Sequence, residues 1–225
     1  MKIGIIGANG QVGKELTIAL DTLDDSITCV PIVRNQLSRT FFDLKNFNVR
    51  TGDVTEQKEA EKVLADINTV VIAGRAKTSS TTSHRQAHLT NKNIVKSAVQ
   101  YSNNNATIIF FSSIRAFGSD LYRSVSQRNG WNDYRIEKLE CEQVLKKHCK
   151  KQNKKYYALR LGLVFGEYQR FTKNIINELQ GKDKVHVSVK PEWESNVLHM
   201  LTLGEVLLRC SSKRRSESGI YTVVN

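Results

Sequence analysis

The stretch KIGIIGANGQVGKELTIALDTL, residues 2–23, places three glycines between an apolar run and a helical pattern. The apolar run predicts a β-strand, and residues 14–23 predict a helix. Gly7, Gly10 and Gly13 have the spacing G-x-x-G-x-x-G, which lets a pyrophosphate approach the backbone N–H groups at the positive end of the helix. The alternative is a tight turn that only packs the helix against the strand. The position of the glycines between a strand and a helix favours a dinucleotide site.

Strand-like apolar runs alternate with helical patterns along the rest of the chain. This alternation predicts an α/β fold, a Rossmann-like doubly wound parallel sheet covered by helices on both sides. In such a fold ligands bind beyond the carboxyl ends of the strands, where the strand order reverses. The further predicted strands are 27–34, 47–53, 68–74, 106–113 and 156–166, and the further predicted helices are 56–67, 85–102 and the helix that carries Tyr134.

Length and composition predict one domain over residues 1–225. The cysteines have no C-x-x-C spacing, so neither a zinc site nor a disulfide framework is expected, and no metal ligands are predicted. The N-terminal apolar run is too short for a signal peptide or a membrane span. We therefore expect a cytoplasmic protein without a membrane partner. The cysteines are Cys29, Cys141, Cys149 and Cys210.

The net charge of +12 and the pI near 9.6 raise nucleic acid as a partner. Much of this charge lies in KKHCKKQNKKYY, residues 146–157, which is typical of the solvated end of a helix and its exit loop. The chain has neither interleaved aromatic residues nor a known nucleic-acid-reading module. No nucleic-acid partner is predicted, and the charge fits an anionic small substrate equally well.

Residues at the ends of the second, third and fourth strands suggest which cofactor binds. Arg34 follows the second strand, where an acidic residue would favour NAD, and its charge suits the 2′-phosphate of NADP. NADP is therefore favoured, although NAD remains open because Arg34 could be a solvated loop residue. Asp53 could contact the adenine or form a capping box with Glu56, and the two roles are compatible. Ala73–Gly74, with small side chains, leaves room for a nucleotide.

Tyr134 and Lys138 are four positions apart in a charged helical pattern. With 7 Tyr and 34 Lys plus Arg in 225 residues, a tyrosine with a basic residue four positions later is expected by chance about once. The pair alone therefore does not separate a catalytic site from two residues on a helix surface.

The order of short motifs along nearly the whole chain resembles the extended short-chain dehydrogenases/reductases, the NAD-dependent epimerase/dehydratase family. Each motif alone is weak, and their order is what carries the resemblance. The motifs are GANGQVG near the N-terminus, GDV at 52–54, VVIAGRA at 70–76, Asn91 in HLTNKNIVKSA, FFSSIRAFG at 110–118, YRIEKLECEQVL at 134–145, LRLGLVFG at 159–166, NVLHM at 196–200 and GIYTVVN at 219–225.

The resemblance implies a catalytic set of Ser113, Tyr134 and Lys138, in which Lys138 also holds the nicotinamide ribose. Asn91 resembles the family's helix asparagine that supports the active-site loops, and could otherwise be an exposed helix residue. Together with the strand-end positions, the resemblance gives the predicted cofactor-binding residues: Gly7, Asn9, Gly10, Gln11, Val12, Gly13, Arg34, Asp53, Val54, Ala73, Gly74, Arg75, Asn91 and Lys138.

The chemistry gives a reason for the spacing of Tyr134 and Lys138. A tyrosine of ordinary pKa, about 10, needs a shift of about three units, roughly 4 kcal/mol, to act as a base near neutral pH. A lysine one helical turn away can supply part of this shift, and the oxidised nicotinamide more. Ser113 would hydrogen-bond the substrate oxygen while Tyr134 exchanges the proton. The alternative for Ser113 is a strand-end hydroxyl satisfied by the backbone.

The predicted function is hydride exchange at a carbonyl or secondary alcohol, with a nucleotide sugar as the substrate class that the family implies. Ile114 and Arg115 stand where the family's dehydratases have an Asp-Glu pair, so an epimerase or ketosugar reductase is expected rather than a dehydratase. The alternative is a non-catalytic dinucleotide sensor. The family's Gly-Pro is Gly166-Glu167 here, its Asp near His199 is absent, and the chain ends at Asn225. The resemblance therefore implies a small substrate lobe, with its elements mainly within 167–225. The oligomeric state stays open, and a homodimer is one possibility.

Overall fold

The computed structural model describes residues 1–116, 134–180, 196–212 and 217–224. Seven parallel strands form one sheet in the order β3-β2-β1-β4-β5-β6-β9, and β7 and β8 form a second, two-stranded parallel sheet. The predicted doubly wound α/β fold is thereby confirmed. The strands are β1 (Lys2–Ile6), β2 (Thr28–Val33), β3 (Arg50–Thr51), β4 (Thr69–Ile72), β5 (Thr107–Ser113), β6 (Tyr156–Leu161), β7 (Leu163–Phe165), β8 (Val197–His199) and β9 (Gly219–Val223).

Helices cover both faces of the main sheet because successive strand residues point to opposite sides. The helices are α1 (Gln11–Leu23), α2 (Thr40–Asp43), α3 (Gln57–Leu64), α4 (His84–Tyr101), α5 (Tyr134–Lys151), α6 (Arg170–Gln180) and α7 (Met200–Ser211). Ile109 and Phe111 of β5 contribute to the core under α1 and α7, whereas Ile108 and Phe110 contribute to the core under α3, α4 and α5. The central strands are therefore apolar on both faces.

The strand order reverses between β1 and β4, which are hydrogen-bonded neighbours. From β1 the chain proceeds outward through β2 and β3, and from β4 it proceeds in the other direction through β5 and β6. The carboxyl ends of all these parallel strands lie at one edge of the sheet. The glycine-rich turn after β1 and the Ala73–Gly74 segment after β4 therefore meet at the switch point, where this fold leaves a crevice for ligands.

The predicted strand 156–166 is wrong in one respect, because the structure divides it into β6 and β7. Hydrogen bonding changes partner at this point: Gly162 N donates to Val223 O at 3.1 Å, whereas Leu163 N donates to Asn196 O at 2.7 Å. β6 consequently stays in the main sheet and β7 leaves it to pair with β8. The partner segments are distant in sequence, so no local pattern marks the break.

The region between β2 and β3 also differs from the sequence prediction. A short 3₁₀ turn, Gln36–Arg39, leads into α2, and β3 has two residues where a strand over 47–53 was expected. Phe42 of α2 is fully buried in the core. A single buried aromatic in a polar segment has no periodicity, which is why the pattern gave no helix here.

Part of the C-terminal segment belongs with the main sheet. β9 pairs with β6 at the sheet edge, and Gly204 of α7 packs against Leu20 and Leu23 of α1. Residues 200–211 and 219–223 thus extend the Rossmann unit. The extent of a substrate lobe within 167–225, and the assignment of the chain to one domain, stay predictions.

The basic run 146–157 is less solvated than its composition indicates. Lys154 is buried, and its ammonium group donates to the carbonyl oxygens of Val99 and Ser102 at 2.6 and 2.8 Å. These carbonyls lie at the carboxyl end of α4, where a cation satisfies acceptors that the helix leaves unpaired. This lysine therefore joins the end of α4 to the loop after α5. The expectation of a solvated run was wrong for this residue.

In the ranges that the structure describes, the helices are all too short or too polar to cross a membrane.

Candidate active site

The turn after β1 depends on close backbone contacts. Gly7 has a φ of +78°, a left-handed conformation that favours glycine, and a Cβ at this position would overlap with the backbone of Gly74. A Cβ at Gly13 would overlap with the carbonyl oxygen of Gly7, so the first turn of α1 lies directly against the loop. These contacts bring the end of β1, the end of β4 and the start of α1 together at the switch point.

The start of α1 is suited to an anion. Gly10 is its N-cap, and no side chain of the described residues caps its first N–H groups. Asn9, Gly10 and Gln11 are exposed at the crevice, Val12 is half-buried, and Gly13 is buried. Uncapped N–H groups at the positive end of a 13-residue helix fit a pyrophosphate, because they can donate to its oxygens. The glycine cradle, which is the turn of Gly7, Gly10 and Gly13, is thus compatible with the predicted dinucleotide site.

The two predicted adenosine-side residues lie at the same edge of the sheet. Arg34 is exposed directly after β2. Asp53 accepts hydrogen bonds from the backbone N and the hydroxyl of Thr55 at 2.9 and 2.7 Å. The predicted capping box between Asp53 and Glu56 is wrong, because Glu56 itself is the N-cap of α3. The side chain of Val54 is buried in the core.

The segment after β4 is held in place by α4. The amide oxygen of Asn91 accepts from Ala76 N at 2.7 Å, and its amide nitrogen donates to Ala76 O at 3.1 Å. Asn91 is buried, so the alternative of an exposed helix residue is excluded. This double hydrogen bond fixes the loop that carries Ala73, Gly74 and Arg75.

The predicted catalytic residues converge at the end of β5. The Ser113 hydroxyl lies close enough to the Tyr134 phenol to lower its pKa. The Ser113 oxygen also accepts from Arg115 N at 3.2 Å, so the backbone satisfies part of its capacity, as the alternative interpretation expected. The Lys138 ammonium lies 5.6 Å from the centre of the Tyr134 ring. The structure therefore brings all three side chains together.

Two side chains of α5, one helical turn apart, attach this helix to β5. Lys138 donates to the Phe111 carbonyl oxygen at 2.7 Å, and the Ser112 hydroxyl donates to Glu142 at 2.5 Å. Glu142 also receives a bidentate pair of hydrogen bonds from Arg160 of β6 at 2.9 and 2.8 Å. These hydrogen bonds thus join α5 to β5 and β6 next to Ser113 and Tyr134.

A second ion pair lies at the other side of the tyrosine. The Arg75 guanidinium donates to both carboxylate oxygens of Glu137, at 2.6 and 3.0 Å. The same guanidinium lies 4.8 Å from the centre of the Tyr134 ring. Arg75 was predicted as a cofactor contact, and no pattern in the sequence indicated its contact with Glu137 or Tyr134.

Burial dominates the electrostatics of this cluster. It raises the pKa of Tyr134 above its ordinary value, while the Ser113 hydroxyl and the charges of Arg75 and Arg115 act in the opposite direction. Burial also lowers the pKa of Lys138 to about 8. Desolvation therefore outweighs the nearby charges at Tyr134, and the expected lowering of its pKa by Lys138 together with the oxidised nicotinamide stays a prediction.

Sequence reasoning missed four residues of this cluster: Ser112, Glu137, Glu142 and Arg160. The only local signal is the four-residue spacing of Lys138 and Glu142, which places both on one face of α5. Arg75 and Glu137 are 62 positions apart, so no sequence window contains them both.

The family model described as "NAD dependent epimerase/dehydratase family" matches residues 3–189. No curated protein matches the chain. Among solved structures, the chain is similar to the UDP-N-acetylglucosamine 4-epimerase from Bacillus cereus, with 17% identity, a TM-score of 0.68, and coverage of 100% of this chain and 78% of that one.

Two further epimerase structures are equally similar. The UDP-glucuronic acid 4-epimerase from Bacillus cereus, in complex with UDP-glucuronic acid and NAD, has 16% identity and a TM-score of 0.71 over 100% of this chain and 78% of that one. The UDP-N-acetylglucosamine 4-epimerase from Methanobrevibacter ruminantium M1, in complex with UDP-N-acetylmuramic acid, has 18% identity and a TM-score of 0.71 over 99% and 76%. At these identities the likeness establishes the fold alone.

The lowered pKa of Lys138 predicts a specific dependence of stability on pH. Between the folded pKa of about 8 and the unfolded pKa of about 10.4, the unfolded chain binds more protons, so stability rises with pH in this window. Relative to Lys138→Met, the free energy of unfolding of the unaltered chain should rise by about 1–2 kcal/mol from pH 7.5 to 9.5. Urea unfolding at several pH values measures this difference.

The exposed Lys150 of the same helix provides the control. Lys150→Met should differ from the unaltered chain by an amount that does not change with pH. A pH-independent difference for Lys138→Met would show that Lys138 keeps its charge when buried.

Proposed function

Because the chain belongs to the NAD dependent epimerase/dehydratase family, we propose that it is an NAD(P)-dependent oxidoreductase acting on a carbonyl or secondary alcohol. The observation that carries this proposal is the convergence of Ser113, Tyr134 and Lys138 beside the glycine cradle. A non-catalytic sensor needs the cradle but does not require a serine, a tyrosine and a lysine that lie close together. The full set therefore favours an enzyme over the sensor.

Each side chain has a role that its position supports. Ser113 holds the substrate oxygen, and Tyr134 gives or takes the proton on that oxygen. Lys138 fixes the helix position and contributes positive charge, and in the bound state it is proposed to hold the nicotinamide ribose. The first turn of α1 and the loops of Gly7 and Gly74 hold the dinucleotide. The nicotinamide, when bound, supplies the acceptor and donor of hydride.

The proposed substrate class is a nucleotide sugar. The similar structures from Bacillus cereus and Methanobrevibacter ruminantium hold UDP-sugars, and the net charge of +12 suits an anionic ligand. A homodimer, a cytoplasmic location and the absence of a nucleic-acid partner stay predictions.

The reaction type follows from the residues after Ser113. A 4,6-dehydration needs a carboxyl acid and base beside the sugar, and Ile114 and Arg115 occupy those positions. Incubation with a panel of UDP-sugars and NAD should give an epimer, or incubation with 4-keto UDP-sugars and NADPH should give a reduced sugar, detected by NMR and chromatography. A product lighter by one water would contradict this assignment, and no conversion of any sugar would favour the sensor.

Tyr134→Phe is expected to lower turnover by at least about a thousandfold, because it removes the oxygen that exchanges the proton. Cofactor affinity should be nearly unchanged, since little binding surface is lost. Tyr101→Phe removes a phenol oxygen outside the site, where its partner is Gln100, and should leave turnover unaltered. A Tyr134→Phe protein with most of the original turnover would exclude Tyr134 as the proton-exchanging group.

Arg34 is proposed to select NADPH over NADH through the 2′-phosphate. Arg34→Asp should reverse this order, because a carboxylate repels the phosphate and accepts from a free ribose hydroxyl. Fluorescence titration of both cofactors measures the preference, which we expect to change by about tenfold or more for one lost charge-assisted pair. Lys45→Asp, an equal charge change at an exposed position after α2, is the control. Equal affinities in both proteins would exclude Arg34 as the discriminating residue.

A further inference from the structure

Arg75 makes contacts that the predicted cofactor role does not explain. It follows Gly74 in the loop after β4, and its guanidinium carbon lies 4.8 Å from the centre of the Tyr134 ring on α5. This distance is within the range in which a cation is attracted by the face of an aromatic ring. The tyrosine ring is therefore contacted by Arg75 in addition to Ser113 and Lys138.

Glu137 fixes this arrangement. Its carboxylate accepts two hydrogen bonds from Arg75, at 2.6 and 3.0 Å, and its side chain is only 6% exposed. Glu137 follows Tyr134 by three positions on the same helix, so both lie on the side of α5 that faces the β4 loop. A bidentate pair restrains the guanidinium plane more than a single hydrogen bond would. Arg75 is thus held where its charge reaches the phenol.

We propose that Arg75 is a positioning residue that acts through Tyr134: held by Glu137, it keeps the phenol ring against Ser113 and favours its deprotonated form. The inference goes beyond a cofactor contact and rests on the proposed proton-exchange role of Tyr134. Arg75 contacts the Tyr134 ring, so its effect is expected in the ionisation of the phenol.

The charged groups around Tyr134 predict in which direction each substitution shifts the pKa of its phenol. Arg75 from the β4 loop and Arg115 after β5 lower the pKa of the phenol, whereas burial and Glu137 raise it. The Lys138 ammonium lies 5.6 Å from the centre of the same ring. Neutral replacements of Arg75 and Glu137 should therefore shift the ionisation of Tyr134 in opposite directions, although both break the same ion pair.

The test is a ¹⁹F NMR titration of the ligand-free chain with 3-fluorotyrosine at all seven tyrosine positions. Ring fluorination lowers the phenol pKa, which brings the titration into a pH range suited to a folded protein. The Tyr134 signal is the one that Tyr134→Phe removes. Arg75→Gln should raise its midpoint by about one pH unit, and Glu137→Gln should lower it by a smaller amount. The double variant should lie between the two.

A pair elsewhere in the chain provides the matched control. Arg39 of the 3₁₀ turn donates two hydrogen bonds to Asp43 of α2, at 2.7 and 2.9 Å, outside the site. Arg39→Gln and Asp43→Asn should leave the Tyr134 midpoint unchanged. Thermal unfolding of every variant shows whether it is folded, and Glu137→Gln and the double variant remain informative if the unpaired Glu137 of Arg75→Gln destabilises the chain.

Opposite shifts support the proposal. Shifts in the same direction, or none, overturn it, because a purely structural role for the pair would loosen the tyrosine equally in both variants. The titration needs neither substrate nor cofactor. If the shifts are opposite but the chain converts no sugar, Arg75 still acts on Tyr134 and the proposed function is wrong. If the chain converts a sugar but the Tyr134 midpoint does not shift, the proposed function stands and the role of Arg75 is wrong.

Discussion

The attachment of α5 to β5 is the constraint on which the candidate site depends. Lys138 and Glu142 lie one turn apart on α5 and hydrogen-bond to consecutive residues of β5, the carbonyl of Phe111 and the hydroxyl of Ser112. Ser113 is the next residue of the strand. Two contacts at this spacing fix both the rotation and the axial position of the helix, because a shift by one residue would move both side chains to another face. The contact between Ser113 and Tyr134 follows from this attachment.

This attachment is made of groups that are costly to bury. Lys138 and Glu142 are 7% and 3% exposed, and Arg160 pairs with Glu142 in the same layer. Well-packed apolar side chains at such positions are often as stable as a buried ion pair or more so. An apolar contact between α5 and β5 could tilt or slide, whereas paired charges and hydrogen bonds specify one geometry. We therefore attribute these polar contacts to function more than to stability, because the site requires one fixed geometry.

The sequence predicted what depends on local pattern. The central strands of the sheet follow from continuous apolar runs, and the turn at Gly7 follows from spacing, because only glycine suits its positive φ and close contact. It did not predict what depends on distant partners. The break between β6 and β7 is set by Asn196, and the partner of Arg75 is 62 positions away. The burial that raises the pKa of Tyr134 also could not be predicted from a local pattern, because burial is a property of the packed chain.

Burial and nearby charges oppose each other at Tyr134. Burial raises its pKa above the ordinary value of about 10, so the phenol is protonated at neutral pH. In the proposed reaction this protonated form is the proton donor, and the phenolate is the base for the same step in reverse. The burial that raises the pKa also excludes water, which strengthens the effect of every nearby charge. The positive charges of Arg75 and Arg115 can therefore lower the pKa of Tyr134 only because they are held close to the ring. Glu137 holds Arg75 in this position.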